Sequence, residues 1–457
     1  MSILNKRRAI VLAAAITAAV ATAGCSSSGS SSTSATTTPS TPAASSTAAA
    51  GTTDTSSCGT KPGVAATGTP INLGGIVTDQ SGTSFTDIAN MAAAYFACVN
   101  ANGGINGHRI KYYIETEQSS ASQIASEAKQ LVQTDHVVGI VGNTSIIECS
   151  VDSSYWASQG FYVIASGIAP ECYSTPNTAD VNMGPRYSSD GAVQYALTLH
   201  PSKIVFDQSN VPGTTYIAAG PNALAKHAGV PIVDDTTNVP VSDADSVAIS
   251  LVSAAGKNGA VVLNFTPPDA LVILQAAQKL NIEGNVKFWG CSTPCNTDFL
   301  AQSLGPKWDG KFFVNAELTP PDPTNSPTMN LYKAIYEQYG KKTVTGGIGS
   351  FSQMGFTEAE LMVKALESIT SGTYTVATVN AAIKALKNVD TGMLCQAWSY
   401  GSYSTHIANN EDYTVTPDNG KMVIAPNGGC TPISAVDPQI AQYRAQAGTA
   451  PADPTSS

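Results

Sequence analysis

The sequence predicts an α/β protein made of two doubly wound parallel-sheet lobes. Short runs of β-branched residues alternate with helical patterns from residue 70 onward, which is typical of parallel βαβ units. This alternation occurs in two successive arrays of similar size, so we expect two similar lobes. The chain has 457 residues, and the part that follows its N-terminal segment is long enough to bury two cores.

The N-terminal segment has the features of a secretory signal. A basic stretch at residues 6–8 precedes an apolar run at residues 9–23, and the sequence Thr22-Ala23-Gly24-Cys25 closes it. Small residues before a cysteine form a lipobox. We therefore expect a lipoprotein signal peptide at residues 1–24 and a diacylglycerol on the thiol of Cys25. The alternative is an ordinary signal peptide whose cysteine is incidental.

Residues 25–57 are predicted to be a flexible tether. After the cysteine they are almost entirely Ser, Thr, Ala, Gly and Pro, and Asp54 is their only charge. Such a segment buries too little apolar surface to offset its ordering entropy, and it would hold the next domain on the order of 30 Å from the membrane. Because the apolar run of the signal is too short to span a bilayer, we expect an anchored chain rather than a transmembrane one.

Composition and cysteine usage narrow the class of protein further. The formal net charge of −10 and the pI of about 4.9 argue against nucleic acid as a partner, because phosphate binding needs a basic face. Hydrophobic residues make up 42% of the chain and charged residues 12%, a balance that favours a globular body over disorder.

Nine cysteines are present, so eight remain when Cys25 is set aside. An even number in an exported chain indicates disulfides. A thiolate metal site at Cys291 and Cys295 is the alternative, but no second close cysteine pair accompanies it and the histidines are scattered, so we expect no metal. Sequence proximity, and membership of one lobe for the last two pairs, favour Cys149–Cys172, Cys291–Cys295, Cys58–Cys98 and Cys395–Cys430.

The helix expected at residues 85–102 illustrates how the first array is assigned. Its apolar residues recur at helical spacing, Gly103-Gly104 ends it as a C-cap, and Asn106-Gly107 turns the chain into the next strand. The strand at residues 137–141 is apolar on both faces, as a buried parallel strand is. The first array comprises strands at residues 71–77, 109–115, 137–141 and 162–165, with helices at residues 85–102, 119–134 and 150–160.

The second array has the same alternation. It comprises strands at residues 203–206, 232–235, 259–264 and 286–289, with helices at residues 214–229, 246–257 and 269–280. Two later helices are expected at residues 330–339 and 357–370, and residues 390–422 are expected to form short strands rich in aromatic residues.

The stretch Asn100-Ala-Asn-Gly-Gly-Ile-Asn-Gly-His-Arg-Ile110 closely resembles the extracytoplasmic substrate-binding proteins of ABC importers. The resemblance is to the branched-chain amino-acid (leucine/isoleucine/valine) binding family, with the type I periplasmic-binding-protein fold. Residues 137–143, 161–171 and 350–365 agree in order and spacing, so the resemblance covers about residues 70–430. It implies three hinge crossings between the lobes, near Gly184, Val314 and Asp390.

The resemblance also implies a division of the chain. After the signal peptide and the tether, the first lobe takes residues 58–184 and 314–390. The second lobe takes residues 185–313 and 391–435, and residues 436–457 are expected to be a flexible C-terminal tail.

The ligand is expected in the crevice beyond the carboxyl ends of the strands, as in other open parallel sheets. Helix starts there offer unpaired backbone N–H groups. The resemblance implies that residues matching 143–145 and 166–168 hold a ligand's carboxylate and part of its amine; the alternative for each is a helix cap or turn residue. The candidate ligand-binding residues are Asp79, Ser81, Asn143, Thr144, Ser145, Ser166, Gly167, Asn210, Asn264, Ser292 and Thr293.

Departures from the amino-acid pattern leave the ligand open. Ile168 stands where amino-acid binders carry a hydroxyl residue, and neither Ser292 nor Thr293 supplies the acid that pairs with an α-ammonium group. A buried ammonium without a carboxylate partner is costly, although Asp79 or Asp207 could substitute. The remaining candidates are an amide, a carboxylic or aromatic acid, a short peptide, or a polar metabolite with an apolar tail.

The sequence favours a binding protein over an enzyme. It contains no Gly-x-Ser-x-Gly elbow and no phosphate loop, and the Ser126-Glu-Ala-Lys129 spacing lacks its usual partner motifs. We expect a monomeric lipoprotein on the outer face of the bacterial cytoplasmic membrane. It would capture a small polar or amino-acid-like metabolite by hinge closure and deliver it to ABC permease subunits, with no cofactor. The alternative is a lipoprotein that presents its ligand to a signalling receptor.

Overall fold

The computed structural model describes residues 58–321 and 326–448. The expected signal peptide, the lipidation site Cys25 and the tether lie outside these residues. The strands are β1 (Gly68–Gln80), β2 (Thr83–Ser84), β3 (His108–Glu117), β4 (Gly139–Asn143), β5 (Val163–Ala165), β6 (Thr178–Asp180), β7 (Ile204–Ser209), β8 (Ile232–Thr237), β9 (Ala260–Asn264), β10 (Phe288–Cys291), β11 (Phe312–Ala316), β12 (Glu411–Asp418), β13 (Lys421–Ile424) and β14 (Thr431–Pro432). The helices are α1 (Thr86–Ala101), α2 (Ala121–Gln133), α3 (Glu148–Gln159), α4 (Gly184–Thr198), α5 (Ala219–His227), α6 (Ala244–Ala255), α7 (Pro267–Lys279), α8 (Asp298–Leu304), α9 (Pro327–Ile335), α10 (Ser350–Glu367), α11 (Val376–Ala385) and α12 (Pro438–Ala447).

The first lobe is a parallel sheet with the strand order β3-β1-β4-β5-β6, and β2 forms a short antiparallel hairpin with the end of β1. Alternate residues of its strands enter different cores. Val141 and Ile164 pack on the side of α1 and α10, whereas Ile140 and Val163 pack on the side of α2 and α3. Helices therefore cover both faces of the sheet, which confirms the doubly wound architecture predicted from the sequence.

Helices α1 and α10 approach each other closely because Gly355 lies between them. A Cβ atom at this position would lie 1.9 Å from the carbonyl oxygen of Ile88. No other residue fits without moving a helix, so this glycine fixes the spacing at the centre of the first lobe.

The second lobe has the strand order β13-β12-β11-β10-β9-β7-β8. Strands β7 to β11 are parallel, whereas β12 and β13 run antiparallel to their neighbours. Val261 and Leu263 face one core with α6, α7 and α8, and Val262 faces another with α4 and α5. This lobe is also a doubly wound sheet, and an antiparallel edge extends it.

The chain crosses between the lobes three times. It passes at residues 181–183 into α4, at residues 317–319 out of β11, and at residues 409–410 into β12. Asn409 joins all three crossings, because its side-chain amide donates to the carbonyl oxygens of Val181 (3.0 Å) and Glu317 (2.9 Å). One side chain thus fastens the three hinge segments together.

Two expectations about the C-terminal third need correction. The third crossing does not lie near Asp390, because Met393, Trp398 and Tyr400 are fully buried in the first lobe's core. Residues 391–408 are mostly irregular and belong with that lobe, although the sequence predicts second-lobe strands there.

The second correction concerns residues 436–448, which are not a loose tail. Asp437 caps α12 by accepting from the backbone N–H of Gln439 (2.8 Å), and its carboxylate pairs with Arg186 at 2.7 Å. Ile440 is fully buried. These contacts hold the helix against the start of α4.

Four disulfide bonds join the cysteine pairs expected from the sequence: Cys58–Cys98, Cys149–Cys172, Cys291–Cys295 and Cys395–Cys430. Within residues 58–321 and 326–448, no helix is long and apolar enough to cross a bilayer. The same residues contain no group of three or more His, Cys, Asp or Glu side chains placed to hold a metal ion.

Candidate ligand-binding cleft

A cavity lies between the two lobes and reaches the hinge. Its empty space measures about 750 Å³, including the part that is open to solvent. Thr144 and Ile146 line it from the loop after β4, Asn264 and Phe265 line it from the end of β9 and the residue that follows, and Glu317 lines it from the second crossing. We call this space the inner cavity. Both lobes and the hinge contribute to it, as a site that closes by lobe movement requires.

The walls of the inner cavity are mainly apolar. Phe85 precedes α1 and Phe351 lies in the first turn of α10, and their rings meet edge to face with centroids 5.5 Å apart. The apolar lining residues are Phe85, Ile88, Ile146, Ile168, Phe351 and Met354 from the first lobe, and Pro185, Val211, Ile217, Val239, Phe265 and Pro294 from the second. Such a surface favours a ligand that buries hydrocarbon.

A second cavity continues from the first toward the solvent. It shares Thr83, Thr266, Asp269 and Phe351 with the inner cavity, and its empty space measures about 1240 Å³. We call it the outer cavity. Its lining is more polar than that of the inner cavity, and it includes Asp87, whose carboxylate accepts backbone N–H groups on the loop before α10.

The lobes contact each other on both sides of the inner cavity. The backbone N–H of Ser350 donates to the carbonyl oxygen of Asn296 (3.0 Å). The Ser350 hydroxyl donates to the carbonyl oxygen of Thr293 (3.1 Å). Elsewhere the hydroxyl of Tyr216, in the second lobe, donates to the carbonyl oxygen of Ile168, in the first. The structure therefore represents an arrangement in which the lobes have closed on the cleft.

Thr144 is a lining residue with an unsatisfied side-chain hydroxyl group. Its Oγ1 atom is buried and has no hydrogen-bond partner among the described residues, and the residue is 1% exposed. Asn264 also lines the cavity, and its side-chain oxygen accepts from Ser292 Oγ at 2.6 Å. A ligand oxygen or amide near Thr144 would satisfy its hydroxyl group.

The charged residues that line the inner cavity, within the described part of the chain, are Asp269 and Glu317. Asp269 accepts from the backbone N–H of Val241 (2.8 Å) and from the Thr266 hydroxyl (3.2 Å). Glu317 accepts from the backbone N–H of Met183 in the first crossing. Burial raises the pKa of Glu317 to about 8, so this carboxyl group is largely protonated at neutral pH.

Four of the candidate residues in the first lobe lie behind the cavity wall rather than on it. Asn143 bonds to the backbone of Ile76 and to Glu148, both at 2.9 Å. The hydroxyl of Ser145 donates to Glu117 at 2.8 Å. Ser166 donates to Glu358, and the backbone N–H of Gly167 donates to Asp180 at 2.7 Å. Their hydrogen-bonding groups are occupied by buried carboxyl groups of this chain.

The remaining candidates are also away from the cavity. Asp79, Ser81 and Asn210 are exposed and do not line it. Ser292 and Thr293 are buried, and Thr293 donates to Asn315 at 2.6 Å. Asp207, the proposed substitute for the missing acid, is buried beside Thr237, and burial raises its pKa to about 7.

The candidate ligand-binding residues did not include three residues that line the cavity, Phe265, Phe351 and Glu317. Phe265 directly follows Asn264 at the end of β9, and Glu317 directly follows β11. The position directly after a strand could therefore have identified both residues. No such signal identifies Phe351, because an aromatic residue in the first turn of a helix is equally typical of a packed core.

A family model described as "Periplasmic binding protein" matches residues 70–421 of the chain. None of the curated proteins compared with the chain matches it.

Solved structures of similar fold include three with informative descriptions. A fatty acid ABC transporter substrate-binding protein from Thermomonospora curvata is 19% identical with a TM-score of 0.68, over 82% of this chain and 95% of that one. A branched-chain amino acid ABC transporter from Thermus thermophilus with bound valine is 15% identical with a TM-score of 0.68, over 82% and 98%. An ABC transporter solute-binding protein from R. palustris in complex with benzoate is 14% identical with a TM-score of 0.63, over 79% and 99%. At these identities the likeness establishes the fold alone.

Proposed function

Because the chain belongs to the periplasmic binding protein family, we propose that it is an extracytoplasmic solute-binding protein that captures a small molecule between its lobes for an ABC importer. The observation that carries this proposal is the inner cavity, which both lobes and the hinge line together. The structural neighbours that bind valine or benzoate, and the one described as a fatty acid transporter component, support the same general role.

The proposed mechanism is hinge closure on the solute. The ligand docks on the wall of one lobe, and the lobes then close so that contacts such as Tyr216 with Ile168 and Ser350 with Asn296 form across the cleft. The three crossings are short, and Asn409 fastens them, so the movement is confined to a few backbone positions. The ligand shifts this equilibrium as far as it binds the closed form better than the open form.

Delivery to a membrane importer requires that the protein stay near the membrane. We propose that a lipid on Cys25 anchors the protein, because residues 22–25 have the sequence of a lipobox. We propose that the importer's membrane subunits recognise the closed arrangement of the lobes.

A thermal-shift panel of amino acids, amides, short peptides, and organic and aromatic acids tests the proposal. A true ligand at about a hundred times its Kd adds about 2.7 kcal/mol of stability. The variant Ile168→Asp places a charge in the cavity wall and should abolish the shift. The matched control Ile424→Asp changes a residue that is 41% exposed and lines neither cavity, so it should respond like the wild type.

Silence across the panel would contradict the proposal. So would a ligand that stabilises Ile168→Asp as much as the wild type, because its site would then lie outside the inner cavity.

A further inference from the structure

We infer that the cleft selects an uncharged, mainly apolar solute. This inference rests on the proposed solute-binding function and specifies its ligand. Three observations carry it: the charge of the lining, the occupied hydrogen-bond donors of the first lobe, and the unpartnered hydroxyl of Thr144.

The lining offers no positive partner to an anion. Neither the inner nor the outer cavity is lined by a lysine, arginine or histidine from the described residues, and their charged lining residues are Asp87, Asp269 and Glu317. A carboxylate ligand would leave water for a site that supplies only acidic neighbours. Transfer of an unpaired charge from water into such a site is unfavourable.

Three backbone donors in the first-lobe loops at the cavity are already engaged within the protein. The N–H of Ile146, at the loop that leads into α3, donates to Thr78 Oγ1 at 3.0 Å. The N–H of Thr144 donates to the carbonyl oxygen of Ile76 at 3.0 Å, and that of Gly167 donates to Asp180 at 2.7 Å. These three N–H groups are therefore engaged within the protein.

Buried carboxyl groups stand directly behind these loops. Glu148 lies behind Asn143, Asp180 behind Gly167, and Glu358 behind Ser166. Burial raises the pKa of each of the three. The environment behind the cavity wall already disfavours negative charge. A ligand anion would bring a further negative charge into the same region.

A cationic head group would have to share the acceptors that it meets with groups of the protein. The oxygens of Asp269 accept from the backbone N–H of Val241 and from the Thr266 hydroxyl. Glu317 accepts from Met183, and its burial keeps it mostly protonated at neutral pH. Thr144 Oγ1, by contrast, is buried without a partner among the described residues, so a carbonyl, hydroxyl or amide group that reached it would satisfy it without bringing a charge.

Isothermal titration of the full chain with matched ligand sets tests this inference. One set is decanamide, decanoate and decylamine, which share a chain length and differ in head-group charge. Two further pairs are benzamide with benzoate, and 4-methylpentanamide with leucine. At pH 7.5 the amide in each set should bind at least about tenfold more tightly than its charged counterparts, since charge burial without a partner is the discriminating cost.

The outcomes distinguish a failure of the uncharged-solute inference from a failure of the proposed solute-binding function. Equal or tighter binding of decanoate, benzoate or leucine, or tightest binding of decylamine, would overturn the uncharged-solute inference and leave the solute-binding function standing. No binding by any member of any set would overturn the inference together with the proposed function.

Discussion

Thr144 differs from the neighbouring candidate residues in the state of its side-chain hydroxyl group. Its hydroxyl is buried without a partner in the described part of the chain, whereas the hydroxyls of Ser145 and Ser166 are bonded to carboxyl groups inside the lobe. Adjacent positions on one loop therefore divide their roles. One residue lines the inner cavity, and its neighbour supports the loop.

We expect Thr144→Val to weaken binding of decanamide by about fivefold, because a typical hydrogen bond contributes about 1 kcal/mol and Val keeps the shape of Thr. Isothermal titration measures the change. Thr416→Val is the matched control, since Thr416 Oγ1 in β12 is also buried without a partner but does not line the cavity. An unchanged affinity for Thr144→Val would mean that the ligand leaves this hydroxyl unused.

Ile168 offers a test by gain of function. The side chain lines the cavity between the lobes. We expect Ile168→Lys to reverse the ligand order, so that decanoate binds more tightly than decanamide, because the ammonium group supplies the missing partner for a carboxylate. Titration of both ligands into the variant and the wild type gives the answer. A variant that still prefers the amide would mean that other groups set the selectivity.

The sequence predicts the loops of the site better than the side chains that face the ligand. The rule that parallel strands bind at their carboxyl ends located the loops after β4 and β9, which do line the cavity. It did not reveal that Ser166 turns away, because its partner Glu358 is 192 residues distant along the chain. Side-chain direction depends on such long-range partners, and local sequence does not contain them.

At the scale of elements, strongly periodic segments were predicted well and evenly buried ones were missed. The helix expected at residues 119–134 is α2, Ala121–Gln133, whose apolar residues form a clear stripe. Periodicity does not reveal α4, in which most residues are buried, including Ser188, Ser189 and Asp190. A helix packed on most sides by its own protein carries no amphipathic pattern, so periodicity cannot detect it.

The hydrogen bonds of Asn409 in the hinge lead to a prediction about stability and ligand binding. Asn409→Leu removes both hydrogen bonds that fasten the crossings and leaves two backbone carbonyls without that donor. We expect a loss of about 2–4 kcal/mol in the free energy of unfolding and weaker binding of decanamide, since the lobes no longer close on a defined axis. Urea unfolding and titration measure the two effects.

Asn380→Leu is the control for this experiment. Asn380 is equally buried and bridges Val138 (3.2 Å) and Val376 (2.6 Å), but it lies within the first lobe. It should lose comparable stability and keep its ligand affinity. If both variants lose affinity in proportion to stability, the role assigned to Asn409 in the hinge is wrong.

The whole molecule is expected to be most stable in mildly acidic solution. Burial raises the pKa values of Glu148 and Glu317 to about 8 and that of Asp207 to about 7. These groups keep their protons when folded, whereas the unfolded chain releases them near pH 4 to 4.5. Their contribution to stability is therefore complete below about pH 4 and is lost as pH rises toward 8.

Urea midpoints at pH 5, 6.5 and 8 should accordingly fall in that order. Glu317→Gln removes one of the titrating groups and keeps an oxygen for the N–H of Met183, so its midpoint should fall less steeply than that of the wild type. Stability that rises from pH 5 to pH 8 would contradict the assignment of protonated buried carboxyl groups.

Closure of the lobes on a solute is the central claim, and small-angle X-ray scattering of the full chain with and without saturating decanamide tests it most directly. The structure has hydrogen bonds across the cleft from Tyr216 to Ile168 and from Ser350 to Asn296, so it represents the closed arrangement. We predict that the radius of gyration decreases when decanamide is added and that the inter-lobe distances match those of this structure. An unchanged scattering profile, at a decanamide concentration that titration shows to be saturating, would contradict capture by hinge closure.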